Sequence, residues 1–372
     1  MNKKKILTII LIILFIGFVA ERINTNKSDV YEEQNKISIK KNKNMLSMNL
    51  EQTAGAGDYK TVTQSSWPTE GYEFNTELSR CEKGSELSWD DTKKAVIMQG
   101  NVSDKCYVYF DLIPSMTLAE YVISQYTGVQ GENGIYYHNS SLENGAGDNS
   151  YRYAGASNNV NNYICLGSDA TTCPDANLFR IIGVFGDQTK VIRAKSVGDQ
   201  KWNTSKANAW SSSSLNTYLN GEYLTNLGTL ADKIATTTWK VGGGSSTYLY
   251  DVPTTAYQYE VGSSASTTTY EAKIGLMYAS DYGFAASSSA WTTKLSSYSS
   301  NTSKNWLYLG SYEWTISRYS GGTTGAFVVG GSGGVGSDAV TSSCAARPSF
   351  NLESSVKYVS GSGTIENPIR IN

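Results

Sequence analysis

Apolar and polar positions follow three different rhythms along this chain. The first is an apolar run over residues 6–20, interrupted only by Thr8 and preceded by Lys3, Lys4 and Lys5. A basic stub ahead of an apolar helix keeps the N-terminus cytoplasmic and directs the rest of the chain outward. At about 1.5 Å per residue the run reaches roughly 22 Å, so it crosses a hydrocarbon core of roughly 30 Å only with help from its flanks. It fits an uncleaved membrane anchor or a cleaved secretory signal. Phe18, two residues before Ala20, puts a bulky ring where a cleavage site wants a small side chain, which favours the anchor. A pilin-type leader, suggested by Gly17-Phe18 ahead of Glu21, would place its apolar helix after that pair rather than before it.

Residues 21–64 lose the apolar rhythm. They are mostly polar, carry Lys40, Lys41 and Lys43, and end near Ala54-Gly55-Ala56-Gly57, the composition of a stalk. From residue 65 to 114 the period becomes two: Gly71-Tyr-Glu-Phe, Glu86-Leu-Ser-Trp, Ala95-Val-Ile-Met and Cys106-Tyr-Val-Tyr-Phe predict antiparallel strands. Cys81 and Cys106 fall on neighbouring strands and predict a disulfide, with Trp89 placed to cover it. This is a small β module of its own. Residues 115–130 then predict a short connecting helix, with Ser115 as N-cap, Leu118, Tyr121, Val122 and Tyr126 on one face, and Gly128 as the stop.

Residues 131–372 form the distal domain. Leu178-Phe-Arg-Ile-Ile-Gly-Val-Phe, a turn at Gly186-Asp187 and Lys190-Val-Ile-Arg-Ala predict a hairpin. Cys165 and Cys173 enclose a short polar loop and predict a local disulfide rather than a zinc site, because no second thiol pair or histidine lies near. Residues 211–220 predict a helix with Leu215, Tyr218 and Leu219 inward. The Gly-, Ser- and Thr-rich middle, residues 241–303, predicts loops around one buried strand near residues 274–282. Short strands follow at residues 306–309, 313–318 and 326–329, a glycine-rich hairpin tip spans residues 330–336, and a last strand follows Arg347-Pro348. The fold class expected is mainly β, with an N-terminal membrane helix, a disulfide-pinned β module and an α+β distal domain.

Composition supports export. Only 17% of residues are charged, while the chain holds 26 Tyr, 8 Trp and 35 Gly; ordinary soluble domains are about 25% charged. A formal net charge of −2 provides no broad basic field for nucleic acid.

The order of several motifs resembles a bacterial domain family related to the C-type-lectin-like fold of formylglycine-generating enzymes and of phage and retroelement variable receptors. These are W-x7-W-S-x-S-x-L-N-x-Y-L-N over residues 202–220, Tyr278-Ala-Ser-Asp, W-x-x-S-R over residues 314–318 and A-R-P-x-x-x-L over residues 346–352. The resemblance covers roughly residues 150 to 355. Residues 81–110 and the closing Gly361-x-Gly-Thr-x-Glu-Asn-Pro also resemble parts of cell-surface proteins of Gram-positive gut bacteria. The resemblance implies a C-type-lectin-like mixed domain with loops gathered on one side. It does not extend to catalysis: formylglycine-generating enzymes hold copper through two nearby cysteines, and no such pair stands here, Cys344 being solitary.

A search for chemistry yields little. The one histidine, His138, reads as a solvated loop residue, and the scattered acids Asp148, Asp169, Asp175, Asp281 and Glu313 have no fixed separation that would make a glycosidase pair. No calcium loop or phosphate loop is present, so no metal or cofactor is expected. Arg347 reads as a buried salt-bridge partner more readily than as a ligand grip. Aromatic rings with polar tips make good contact surfaces, so Trp291, Trp306, Tyr312 and Trp314 are the expected ligand-binding residues. The reading is a single-pass membrane protein with its C-terminal region outside, or secreted if the leader is cleaved, that binds a glycan or a protein on a cell or envelope surface. An envelope carbohydrate hydrolase using paired carboxylates and a structural spacer are the alternatives.

Overall fold

The computed structural model describes residues 46–372, apart from 64, 65, 69, 70, 102 and 114. The apolar run over residues 6–20 lies outside them, and among the described residues no helix is long and apolar enough to cross a membrane. The chain is mainly β and divides into two units between Ser115 and Met116.

The first unit holds β1 (Leu46–Glu51), β2 (Tyr59–Val62), β3 (Tyr72–Phe74), β4 (Arg80–Cys81), β5 (Glu86–Asp90), β6 (Ala95–Gln99) and β7 (Cys106–Leu112). One sheet runs β2-β1-β7-β3 with β4 also on β7, and β5 with β6 makes a separate hairpin. The expected stalk therefore ends earlier than residue 64, because β1 lies parallel to β7, Leu46 opposite Cys106 through Leu50 opposite Phe110. Met48 and Leu50 bury beside Val108 and Phe110. The polar residues that disguise this strand are buried but satisfied: Asn49 Nδ2 donates to Val108 O, and the Glu51 carboxylate accepts from Gly57 N and Leu112 N. Cys81 sits directly opposite Cys106 and is bridged to it, as the pattern predicts. Trp89 packs edge-on against Phe110.

The second unit opens with α1 (Leu118–Ser124). Its cap is Thr117 rather than Ser115: Thr117 Oγ1 accepts from Glu120 N at 3.1 Å while the Glu120 carboxylate accepts from Thr117 N at 2.7 Å. Leu118, Ala119 and Val122 bury in the core of this unit, so the helix belongs to the distal domain and is no free connector. The main sheet is built from β8 (Ile135–His138), β9 (Ser150–Tyr153), β10 (Tyr163–Cys165), β11 (Leu178–Phe185), β12 (Gln188–Arg193), β16 (Ile274–Gly275) and β21 (Ser349–Leu352). Their order across it is β16-β21-β12-β11-β9-β8, with β10 also on β11. The β11–β12 hairpin turns at Gly186, φ 64°, as predicted. Seven of the eight residues of β11 are buried, which explains its continuous apolar text. Gly183 is required there, since a Cβ would stand 2.2 Å from Tyr151 O on the neighbouring strand.

A second sheet runs β13 (Asp199–Lys201), β20 (Ser343–Ala345), β17 (Glu313–Arg318), β18 (Gly325–Val329) and β19 (Val335–Ala339), with the glycine-rich tip between β18 and β19. Two small pairs, β14 (Thr237–Lys240) with β15 (Thr269–Ala272) and β22 (Tyr358–Ser360) with β23 (Arg370–Ile371), complete the strands.

Several segments depart from the expected pattern. The helix of residues 211–220 is short, α2 (Ser214–Tyr218) capped by Ser213 Oγ on Asn216 N, and it continues through a π-helical turn, Leu219–Tyr223. The expected loops contain α3 (Pro253–Glu260), started by a proline in its first turn. The strand expected at residues 274–282 stops after Gly275, because Asp281 accepts from Tyr278 N at 2.9 Å and starts α4 (Ala279–Phe284). Trp306 and its neighbours form a turn after the 3-10 segment Leu295–Lys304 rather than a strand.

Candidate functional site

The four aromatics expected to bind ligand divide three to one. Trp291, Trp306 and Trp314 are 1%, 3% and 0% exposed. Their indole Nε1 atoms donate to Ala286 O, Tyr153 O and Gln200 O at 3.0, 2.8 and 2.8 Å. A large ring whose one polar atom is satisfied by a backbone carbonyl belongs in a core, and these three fill it. They offer no surface to a ligand, so the expected aromatic face is not assembled. Tyr312 alone is open, 58% exposed, with its ring beside Gly330 and Gly331 at the hairpin tip.

Three of the acids weighed for a catalytic pair are committed to cations inside the fold. Asp281 accepts from Lys190 Nζ at 2.6 Å and lies 3.5 Å from Arg152, whose other terminal nitrogen reaches Asp148 at 2.6 Å. Glu313 is gripped by Arg347. Burial raises the Asp148 pKa, but the Arg152 charge and the hydrogen bonds from Ser150 outweigh it and hold the group down at about 2. His138 is not a solvated loop residue: it is fully buried on β8, its Nδ1 accepts from Ala146 N at 3.0 Å, and Phe284 and Trp291 flank the ring. Burial first, then the Arg152 charge, push its pKa well below the ordinary value, so it stays neutral. Glu260 is a buried carboxyl on α3, held by Ser317 Oγ and by the N–H groups of Ala279 and Ser280, and burial raises its pKa. These groups hold elements together in the interior. Among the described residues no cluster of His, Cys, Asp or Glu is arranged to hold a metal.

The concave site lies elsewhere on the distal unit, in a cavity of about 610 Å³ open to solvent. Three stretches distant in sequence build it. One is Gly167 to Thr171, in the loop closed by the Cys165–Cys173 disulfide; the second is Thr229, Leu230 and Lys233; the third is Val359 and Ser360 with Glu366, Asn367, Pro368 and Arg370. Backbone pairing brings the third to the first: Ile369 N donates to Tyr163 O, and Cys165 N donates to Ile369 O, both at 2.9 Å. Arg370 then clamps the disulfide loop, donating to Ser168 O, Ala170 O and Thr171 O at 2.7, 2.8 and 3.3 Å. The loop is thus fixed twice, covalently at its ends and by a guanidinium at its crest.

Gly361 makes the return possible. At φ 94° it adopts a conformation that side chains disfavour, and a Cβ there would stand 2.2 Å from Pro368 O. The hydroxyls of Tyr121 and Tyr358, stacked with ring centroids 3.8 Å apart, both donate to Gly361 O. Among the described residues no aromatic ring lines the cavity, and none of Asp169, Lys233, Glu366 and Arg370 forms a salt bridge. Sequence reasoning identified the disulfide but not the groove beside it. The one available signal was the glycine-spaced closing segment, which resembled surface proteins without indicating what it packs against. No family model matches this chain, and no curated protein or solved structure matches it either.

Proposed function

We propose that this chain is a membrane-anchored, extracytoplasmic surface protein whose distal unit binds a glycan or a protein ligand through the groove beside the Cys165–Cys173 loop. The observation that carries this reading is the double restraint of that loop by a disulfide and by Arg370, since a rigid rim is what a recognition surface needs and solvent-exposed loops otherwise lack. Two disulfides fit an oxidising compartment, and the lysines before the apolar run fit a C-terminal region outside the membrane. A C-type-lectin-like descent for the distal unit is part of this proposal and rests on the motif order alone. The test is a binding screen of the full-length chain in detergent against glycan and protein arrays, with Lys233→Glu as the groove variant. Ligands retained by the wild type and lost by the variant support the groove; retention of every ligand by the variant excludes it.

One observation favours the hydrolase alternative: Asp169 and Glu366 both line the groove. Both are solvent-exposed, however, and so lack the desolvated pocket in which a glycosidase keeps its acid. Glycan turnover by the purified chain, abolished by Glu366→Gln, would establish hydrolysis.

A further inference from the structure

We infer that the ligand of this groove is a polypeptide segment carrying both acidic and basic side chains, rather than a neutral glycan; the inference rests on the groove being the ligand site. Two acidic side chains, Asp169 and Glu366, and two basic ones, Lys233 and Arg370, line it. None of them is within ion-pair distance of an opposite charge among the described residues. The Arg370 guanidinium is hydrogen-bonded, but only to neutral carbonyls, so its charge is not cancelled.

A neutral ligand would strip water from these groups and return no counter-charge, which is a net cost. A chain with both charges answers each of them, and its charge pattern would also set its orientation. The apolar part of the groove points the same way. It includes Val359 and Leu230, aliphatic groups that suit side-chain methylenes, and it lacks the flat aromatic ring on which the C–H face of a sugar stacks. Backbone amides of a peptide would find hydroxyl and amide partners in Ser360 and Asn367 along the same wall.

The experiment uses the full-length chain in detergent and two immobilised probe sets, acetylated and amidated peptides of mixed charge and neutral oligosaccharides. The expected result is saturable binding to mixed-charge peptides that weakens with added salt and falls about tenfold in Lys233→Glu and in Glu366→Lys. Neutral oligosaccharides bound by the wild type and lost in both variants would overturn the peptide assignment while leaving the groove in place. Peptides bound equally well by wild type and variants would overturn the groove as the site. Binding to neither set would overturn both. Lys233 is only partly buried and Glu366 is exposed, so both variants should fold, and an unchanged unfolding temperature is the check.

Discussion

Arg347 grips Glu313 with two parallel hydrogen bonds, Nε to Oε1 at 2.6 Å and Nη2 to Oε2 at 2.8 Å. Both side chains are almost fully buried. Arg347 precedes β21 in one sheet and Glu313 opens β17 in the other, so the fork fastens the two sheets of the distal unit to each other. Removing one partner strands a buried charge, whereas removing both leaves a packing defect and the Leu307 carbonyl that Arg347 Nη2 also serves. Arg347→Ala should therefore cost about 3–5 kcal/mol in urea unfolding, and the pair Arg347→Met with Glu313→Leu much less. Equal losses in the single and double variants would contradict the account.

Acid should destabilise the distal unit over two successive pH ranges. Unfolded histidine takes up a proton below about 6.5, whereas buried His138 resists it. The unfolded state then binds more protons, and stability falls as pH drops below that value, by at most about 1.4 kcal/mol per unit. Asp148, held down at about 2 against an ordinary 3.8, contributes stability that is complete above the higher value and disappears as pH falls towards the lower. His138→Asn should flatten the pH dependence of unfolding as pH falls below about 6.5 and leave intact the further loss that Asp148 adds below about 3.8. Denaturant titrations across this range test it.

The strands with clean alternation or dense β-branching were legible in the sequence, and so were both disulfides. The β11–β12 hairpin declares itself because every residue from Leu178 to Val184 is buried, and Cys106 opens β7, whose alternation is clear and which lies opposite Cys81. The features that escaped were decided by contacts far along the chain. Asn49 and Glu51 look like stalk residues until Val108, Gly57 and Leu112 supply their partners. The start of α4 depends on Asp281, which the same local text allowed in a strand. The groove was least legible, since Gly167, Lys233 and Arg370 meet only through backbone pairing of the last residues with β10. The tryptophans misled for a simpler reason: loop-rich text does not imply an exposed ring.

Trp314 and Tyr312 make a controlled comparison, two residues apart and opposite in exposure. Trp314→Ala should cost about 3–5 kcal/mol through the cavity it leaves and the orphaned Gln200 carbonyl. Tyr312→Ala should leave the unfolding temperature unchanged, and if the hairpin tip takes part in recognition it should weaken ligand binding by about 1–3 kcal/mol. Thermal unfolding of both variants decides the first part. A Tyr312→Ala variant as unstable as Trp314→Ala would show that its ring is part of the core.

The two restraints on the groove loop should prove coupled. Cys165 and Cys173 are 8 residues apart, and closing so short a loop is worth about 2–3 kcal/mol in the chain-entropy account. If Arg370 still holds the crest, the native loop stays ordered and the Cys165→Ala with Cys173→Ala variant should lose this full amount. If the disulfide still holds the ends, Arg370→Gln alone should loosen the crest only partly. With both removed only the Asn177 contacts to Leu166 and Gly167 remain to order the loop, so it should open locally and the combined loss should fall short of the sum of the separate losses, the mark of coupling between restraints that share one element. Hydrogen exchange of residues 167–171 reads this locally and thermal unfolding reads it globally. Cys344 gives an internal control for the thiol chemistry: it is buried, and burial together with Asp338 and Asp199 pushes its pKa up to about 11. It should therefore resist alkylation in the folded chain while the four bridged cysteines become reactive only after reduction. Strictly additive losses, with exchange at residues 167–171 no faster in the combined variant than in either parent, would mean that the disulfide and Arg370 restrain the loop independently.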